Sequence, residues 1–286
     1  LTSELYLALL VAATPCAPAH AEIVAAESVY ADIARQVTGP SVPVAAILRN
    51  PSGDPHQFEP TPSVAREVAD AALVIENGIG YDSWIDRLLP RGRGQQRIVI
   101  ADLLHRRPGD NPHLWYDPAA MPALVRALAQ DLGAASPADR AAISARAEAT
   151  LASLAALHDH VLVLRAKFAG TPVAATEPVF GPMLGALGLV DHHARFELAV
   201  MNGTEPRASD VVAIEDDLRA HRLRVLITNA QSTDTEAMRL AGVARSENIP
   251  LVAITETLPP GKTYQAWISA ELDALQSALS PAAATQ

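Results

Sequence analysis

From residue 22 onward the chain alternates short apolar runs with longer segments whose apolar residues recur at helical spacing. Apolar runs of strand length fall at 44–48, 72–75 and 97–101, then at 172–175, 224–227 and 251–254. Helix-period segments lie between them at 64–69, 119–132, 209–222, 235–247 and 264–279. This alternation predicts α/β units with largely parallel sheets. The stretch between the two groups of strands is different. Ser136-Pro137-Ala138-Asp139 has a capping hydroxyl, a proline suited to the first helical position and an acidic residue. No Gly or Pro follows until Gly170, and the segment is rich in Ala, Leu, Arg and Glu. A helix over 137–168 would span about 48 Å at 1.5 Å per residue. The expected architecture is therefore two α/β lobes joined by one long rigid helix, with a ligand held between them.

Composition narrows the function. At 286 residues the chain is long enough for two domains, and 49% hydrophobic content supports a real core. Lys plus Arg number 22 against 32 Asp plus Glu, a formal charge of −10, which argues against nucleic acid as a partner. The one cysteine, Cys16, excludes an internal disulfide framework and any cysteine-rich zinc site. A metal would have to be bound by His, Asp and Glu.

Residues 5–13 form a short apolar run, and Ala19-His20-Ala21 follows as a small-x-small cleavage pattern. This reads as a secretory signal peptide over 1–21, although Glu4 stands where a basic residue is usual. Ala13-Thr14-Pro15 before Cys16 is a poor lipobox, so the expectation is a soluble periplasmic protein that sheds its only thiol.

Two proline-histidine elements stand out. His56 lies in Asn50-Pro-Ser-Gly-Asp-Pro-His-Gln-Phe-Glu-Pro, a loop at the carboxyl end of an expected strand, where α/β folds gather ligand groups. His113 lies in Asn111-Pro112-His113-Leu-Trp-Tyr-Asp117-Pro118, again after a strand. Taken singly, each reads more simply as a turn histidine. Asp117 could orient an imidazole or cap the next helix, and capping is the simpler role. His158 and His160 point to different sides of the long helix, and His192-His193 reads as a pair of surface imidazoles.

The run from Asp54 to Ser63, with Ala69-Asp70-Ala71, Asn77-Gly78 and the Asn111–Pro118 motif, resembles zinc/manganese-type (TroA-like, cluster A-I) solute-binding proteins of ABC transporters. The resemblance covers nearly all of residues 22–280. It implies two Rossmann-like α/β lobes: an N-terminal metal-binding lobe over 22–136, an interlobe helix over 137–168 and a C-terminal lobe over 169–286. In that family the first lobe gives two His, and the second gives His or Glu and then Asp. The resemblance thus implies His56, His113, Glu177 (in Thr176-Glu-Pro-Val-Phe-Gly) and Glu256 (in Thr255-Glu-Thr-Leu-Pro-Pro) as metal ligands. Glu256 stands where Asp is usual. Each of the two glutamates also lies at the end of an expected strand, mirroring His56 and His113. Asn229 and Gln231 stand where relatives often carry Glu-Pro-Gln, either close to the metal or as a turn and cap.

The implied activity is capture of Zn²⁺ or Mn²⁺ in the periplasm by a monomer and delivery to the membrane permease of an ABC transporter. The competing expectation is a metal-dependent hydrolase using the same His/Glu site. The chain lacks HExxH and GxSxG, and four protein ligands would leave little room for a catalytic water.

Overall fold

A computed structural model describes residues 23–49, 58–89 and 95–280. The first lobe runs β1 (Ile23–Glu27), α1 (Ser28–Thr38), β2 (Val44–Leu48), α2 (Pro62–Asp70), β3 (Leu73–Glu76), α3 (Trp84–Leu88), β4 (Gln96–Val99) and α4 (Ile100–Leu103). A 3₁₀ turn at Leu114–Tyr116 leads into α5 (Ala120–Ala135) and the long α6 (Arg140–Phe168). The second lobe continues with β5 (Pro172–Ala175), a 3₁₀ turn at Pro178–Phe180, α7 (Gly181–Leu187), β6 (Val190–Asp191) and α8 (Ala194–Met201). It ends with α9 (Ala208–Arg219), β7 (Leu226–Asn229), α10 (Thr235–Ser246), β8 (Leu251–Ile254) and α11 (Tyr264–Leu279).

Each lobe holds a four-stranded parallel sheet, ordered β2-β1-β3-β4 in the first and β6-β5-β7-β8 in the second. The two orders are the same pattern repeated. In each, chain order reverses between the two central strands, and the carboxyl ends at such a point open a crevice. The two-lobe α/β expectation holds. Two strands escaped the pattern reading. β1 is alanine-rich and runs into α1 without a turn residue, and β6 is only two residues long.

The long helix starts three residues later than expected. The Ser136 hydroxyl donates to the Asp139 carboxylate at 2.7 Å, so it does not cap the helix backbone. Arg140 Nε donates to the Gly133 carbonyl at 2.9 Å, closing the turn from α5. The 29 residues of α6 span about 43 Å. Its buried stripe is Ile143, Ala147, Thr150, Leu154, Leu157, Val161, Leu164 and Phe168, spaced alternately four and three residues apart. That stripe packs on α1 and α5 of the first lobe and on α7 and α11 of the second, so one helix serves both. No helix among the described residues is long and apolar enough to cross a membrane.

One apolar core runs through both lobes, and its centre is aromatic. Tyr116 packs edge-on against Phe180 at 4.9 Å and lies 5.5 Å from Trp267, between ring centres. The polar tips are paired across the same seam. The Tyr264 hydroxyl donates to the Trp115 carbonyl at 2.8 Å, and Tyr264 N–H donates to Asp32 at 2.8 Å. Glu271 accepts from Trp267 Nε1 at 2.8 Å and from Thr255 N–H at 3.1 Å. Burial pushes the Glu271 carboxyl up to about 8, and these hydrogen bonds only partly oppose the shift.

The Tyr116 hydroxyl lies 2.7 Å from the Thr255 carbonyl and 2.8 Å from Glu271 Oε2. It has one proton for two acceptors. Both contacts are hydrogen bonds when Glu271 is protonated and donates to the Tyr116 oxygen, which agrees with the raised carboxyl. A folded value of about 8 against an ordinary 4.5 means the native state binds the extra proton between those limits. The wild type therefore loses stability from this group as pH rises through that window. Glu271→Gln keeps the shape and a permanent N–H for Tyr116. Its melting temperature relative to wild type should rise between about pH 5 and about pH 8. Thermal melts of both proteins at the two pH values check this, and an unchanged difference would refute the shared-proton seam.

Candidate metal centre

Three of the predicted ligands, His113, Glu177 and Glu256, fall on described loops that follow strands of the two sheets. His56 lies outside the described residues; the chain resumes at Phe58, whose ring packs 4.9 Å from Trp84. The next helix is capped by Thr61, whose hydroxyl accepts from Val64 N–H at 3.4 Å. His113, Glu177 and Glu256 are all described and all buried, at 0%, 6% and 1% exposure.

His113 is aligned by the residues just before it. Asn111 Nδ2 donates to the Pro178 carbonyl of the second lobe at 2.6 Å, which turns its Oδ1 toward the histidine. That oxygen accepts His113 N–H at 3.0 Å and faces ring Nδ1 at 2.9 Å. An acceptor opposite Nδ1 places a ring proton there, so in the neutral ring Nε2 carries the lone pair. The ring stands edge-on to Trp115, with centres 5.3 Å apart, and to Tyr81 at 5.8 Å. Gly181 makes the Asn111 bridge possible, because a Cβ there would come within 2.7 Å of Asn111 Nδ2. Asn77 gives a second brace by donating to the Pro112 carbonyl at 2.8 Å. The turn after it needs Gly78, whose φ is +83° and whose Cβ would strike Val99 at 2.7 Å.

The carboxylates come from the second lobe. Glu177 follows β5 and Glu256 follows β8, while Asn229 ends β7 between them. Asn229 Nδ2 donates to Glu177 Oε2 at 3.0 Å and to Glu256 Oε1 at 2.7 Å. Gln231 Oε1 accepts the backbone N–H of Glu256 at 2.6 Å and of Thr257 at 3.1 Å, fixing the loop. The other Glu256 oxygen, Oε2, lies 3.5 Å from His113 Nε2 and accepts from the Tyr81 hydroxyl at 3.1 Å. Burial, with the adjacent Glu256 carboxylate, holds the Tyr81 hydroxyl protonated well above its ordinary 10.

The structure thus brings His113 to Glu256 and ties Glu177 to Glu256 through one amide. Among the described residues no group of three or more His, Cys, Asp or Glu side chains is placed to hold a metal ion. Sequence reasoning raised Asn229 and Gln231 as either metal-proximal or turn-forming, and both contact the carboxylate loops. It missed Asn111 and Tyr81. Asn111 could have been flagged, since it stands two residues before the histidine it orients. Tyr81 approaches Glu256 from 175 residues away and leaves no local signal.

Asp117 takes the simpler of its two expected roles: its Oδ1 accepts Ala119 N–H at 2.9 Å in the turn that opens α5, and its Oδ2 pairs with Arg106 at 2.5 Å. One expectation changes. His193 is not a surface imidazole: it is 8% exposed, with Nε2 3.0 Å from Asp217. Asp191 Oδ1 accepts its backbone N–H at 2.8 Å, and that turn carries the ring inward.

Known proteins resemble the chain in sequence and in fold. The chain is 29% identical over 153 residues to the manganese-binding lipoprotein MntA of Halalkalibacterium halodurans, a match over 50% of each chain. It is 24% identical over 132 residues to the manganese ABC transporter substrate-binding lipoprotein PsaA of Streptococcus mitis, covering 41% of this chain and 42% of the relative. These matches span half or less of the relatives' length. A longer one, at 21% identity, covers 90% of this chain and 88% of the metal ABC transporter substrate-binding lipoprotein ScbA of Streptococcus cristatus. The fold superposes on the periplasmic zinc-binding protein TroA of Treponema pallidum with a TM-score of 0.77 at 16% identity, covering 92% of this chain and all of that one. It superposes on the Mn²⁺ complex of FpvC from Pseudomonas aeruginosa with a TM-score of 0.73 at 20% identity, covering 91% and 98%. The family model of the zinc-uptake complex component A matches residues 23–278, across both sheets and the helix that joins them, and the chain belongs to that periplasmic family.

Proposed function

We propose that this chain captures one divalent transition metal ion, Zn²⁺ or Mn²⁺, between its lobes and passes it to the membrane permease of an ABC transporter. His56 and His113 serve as donors from the first lobe, Glu177 and Glu256 from the second. The observation that carries this reading is His113 Nε2, its lone pair set by Asn111, lying 3.5 Å from a Glu256 carboxylate oxygen across the lobe boundary. An imidazole lone pair and a carboxylate held face to face in a buried place are complementary to a cation.

Two imidazoles and two carboxylates neutralise a divalent ion, so the loaded site buries no net charge. Capture replaces bound water with donors already in place. Release follows from the division of the set: any parting of the lobes withdraws the imidazoles from the carboxylates. The ion then loses half of its protein donors in one motion, which suits a carrier. Raw affinity favours Zn²⁺ over Mn²⁺ for such a set, so physiological choice also depends on geometry and supply.

The protein works as a periplasmic monomer after loss of a leader over 1–21, with lobes at 22–136 and 169–286 and the interlobe helix between them. It binds and does not turn over. The family's members are uptake components, and the hydrolase reading draws no support from them.

Anaerobic titration of the metal-stripped protein with Zn²⁺ and with Mn²⁺ should give one tightly bound equivalent of either ion. Failure to bind both ions would sink the reading. His113→Ala and Glu256→Ala should each weaken binding by at least about 10–100-fold, the loss seen when even an outer partner of a ligand is removed. Unchanged affinity in Glu256→Ala would strike that residue from the ligand set. Metal-dependent ester or peptide turnover, lost in His113→Ala, would instead favour the hydrolase.

A further inference from the structure

The Asn229 carboxamide has a fixed orientation and a double duty. Its Oδ1 accepts Gln231 N–H at 3.0 Å, which leaves Nδ2 as the end that faces the carboxylates. Both protons of that one nitrogen are then committed, one to Glu177 Oε2 and one to Glu256 Oε1, at 3.0 and 2.7 Å. A neutral amide placed between two acids relieves their repulsion and ties each by a single oxygen. Its reach is short: the side chain has two rotatable bonds and leaves the end of β7, a rigid strand between β5 and β8.

We propose that Asn229 is a specificity-determining residue that makes each glutamate give the metal one oxygen, holding the site at four donors and favouring Zn²⁺ over Mn²⁺. This rests on the metal-capture reading above. A carboxylate whose second oxygen is bound to an N–H resists turning to chelate through both. Two one-oxygen carboxylates and two imidazoles give four donors, the number that zinc prefers in tetrahedral sites. Two chelating carboxylates would raise the donor count toward six and the oxygen share with it, and a six-coordinate, oxygen-rich site suits manganese. Asn229 therefore does for the carboxylates what Asn111 does for His113, fixing which atom is presented to the ion.

The test compares wild type with Asn229→Ala and Asn229→Asp. The aspartate keeps the shape and the acceptor for Gln231 N–H, so it preserves the turn while removing both donated protons. Competition titrations should show that the Zn²⁺:Mn²⁺ affinity ratio falls by about tenfold or more in both variants, mainly through a loss of zinc affinity. Co²⁺ loaded in place of the native ion reports coordination directly. Wild type should give the intense visible bands of a four-coordinate ion, and the variants the weak bands of a higher-coordinate one. An unchanged ratio and unchanged cobalt bands, in a variant that melts like wild type and still binds one equivalent, would overturn the role of Asn229 and leave metal capture standing. Wild-type protein that binds none of the three ions would overturn both.

Discussion

The Tyr116 hydroxyl reaches the Thr255 carbonyl at 2.7 Å, and the distance that matters most to the site hangs on that contact. Tyr116 stands three residues after His113, in the 3₁₀ turn that His113 opens. Thr255 immediately precedes Glu256. The same bond that joins the lobes therefore sets how closely an imidazole from one can approach a carboxylate from the other. Around it, Phe180 and Trp267 exclude water, and Glu271 gathers the remaining polar atoms of Tyr116, Thr255 and Trp267. The low-dielectric surroundings strengthen each of these hydrogen bonds and make leaving one unmade expensive. More remote contacts hold the same register. The Ser28 hydroxyl accepts Leu258 N–H at 3.1 Å, and Gln36 and Gln265 exchange hydrogen bonds at 2.8 and 3.0 Å.

The acidic composition looks different in this light. Glu27, Glu197 and Glu271 are buried, and desolvation raises all three: Glu27 well above its ordinary range, Glu197 to about 10 beside Asp191, and Glu271 to about 8. Glu197 and Glu271 therefore favour the protonated form at neutral pH, so the formal charge of −10 overstates the folded protein's negative charge. Charge is withdrawn from the core and kept where something answers it. Glu76 pairs with Arg97, although burial still raises its carboxyl to about 7, and Asp82, raised by burial too, accepts the backbone N–H groups of Asn77 and Gly78 at 2.6 and 2.9 Å. That turn is the one whose Asn77 side chain braces Pro112 beside His113. Glu177 and Glu256 are answered by an amide proton each.

How much of this was legible in the chain depends on range. β2, β5, β8 and α11 match the pattern reading to the residue, because each has a clean apolar run or helical period bounded by Gly, Pro or a capping hydroxyl. The start of α6 slipped, since a Ser-Pro-x-Asp sequence fits a cap equally well whether its hydroxyl bonds the backbone or the aspartate. β1 was hidden by alanines that belong as readily to a helix. The residues at the site followed the same rule. Glu177 and Glu256 sit at strand ends that periodicity locates and His113 stands in a proline-marked loop, whereas Tyr81's contact with Glu256, Asn111's bridge to Pro178 and the Tyr116–Glu271 pair exist only once two lobes are folded against each other. Pairings across 67 to 175 residues have no sequence period to betray them.

Neither lobe can complete the arrangement by itself, and the dependence runs both ways. Asn111 belongs to the first lobe but takes its orientation from the Pro178 carbonyl in the second, so docking of the lobes fixes which nitrogen of His113 bears the proton. Tyr81 likewise leaves the first lobe to donate to Glu256 in the second. A parting of the lobes would thus do more than lengthen bonds to an ion. It would remove the Pro178 carbonyl that orients Asn111, and with it a donor that steadies Glu256, in the same movement. Affinity in such a site is coupled to closure at two levels, through the ligands and through the groups that aim them. On the metal-capture reading proposed above, even a small opening along this hydrogen-bonded seam would weaken the hold on a cation, because it would disturb the ligands and the groups that aim them together.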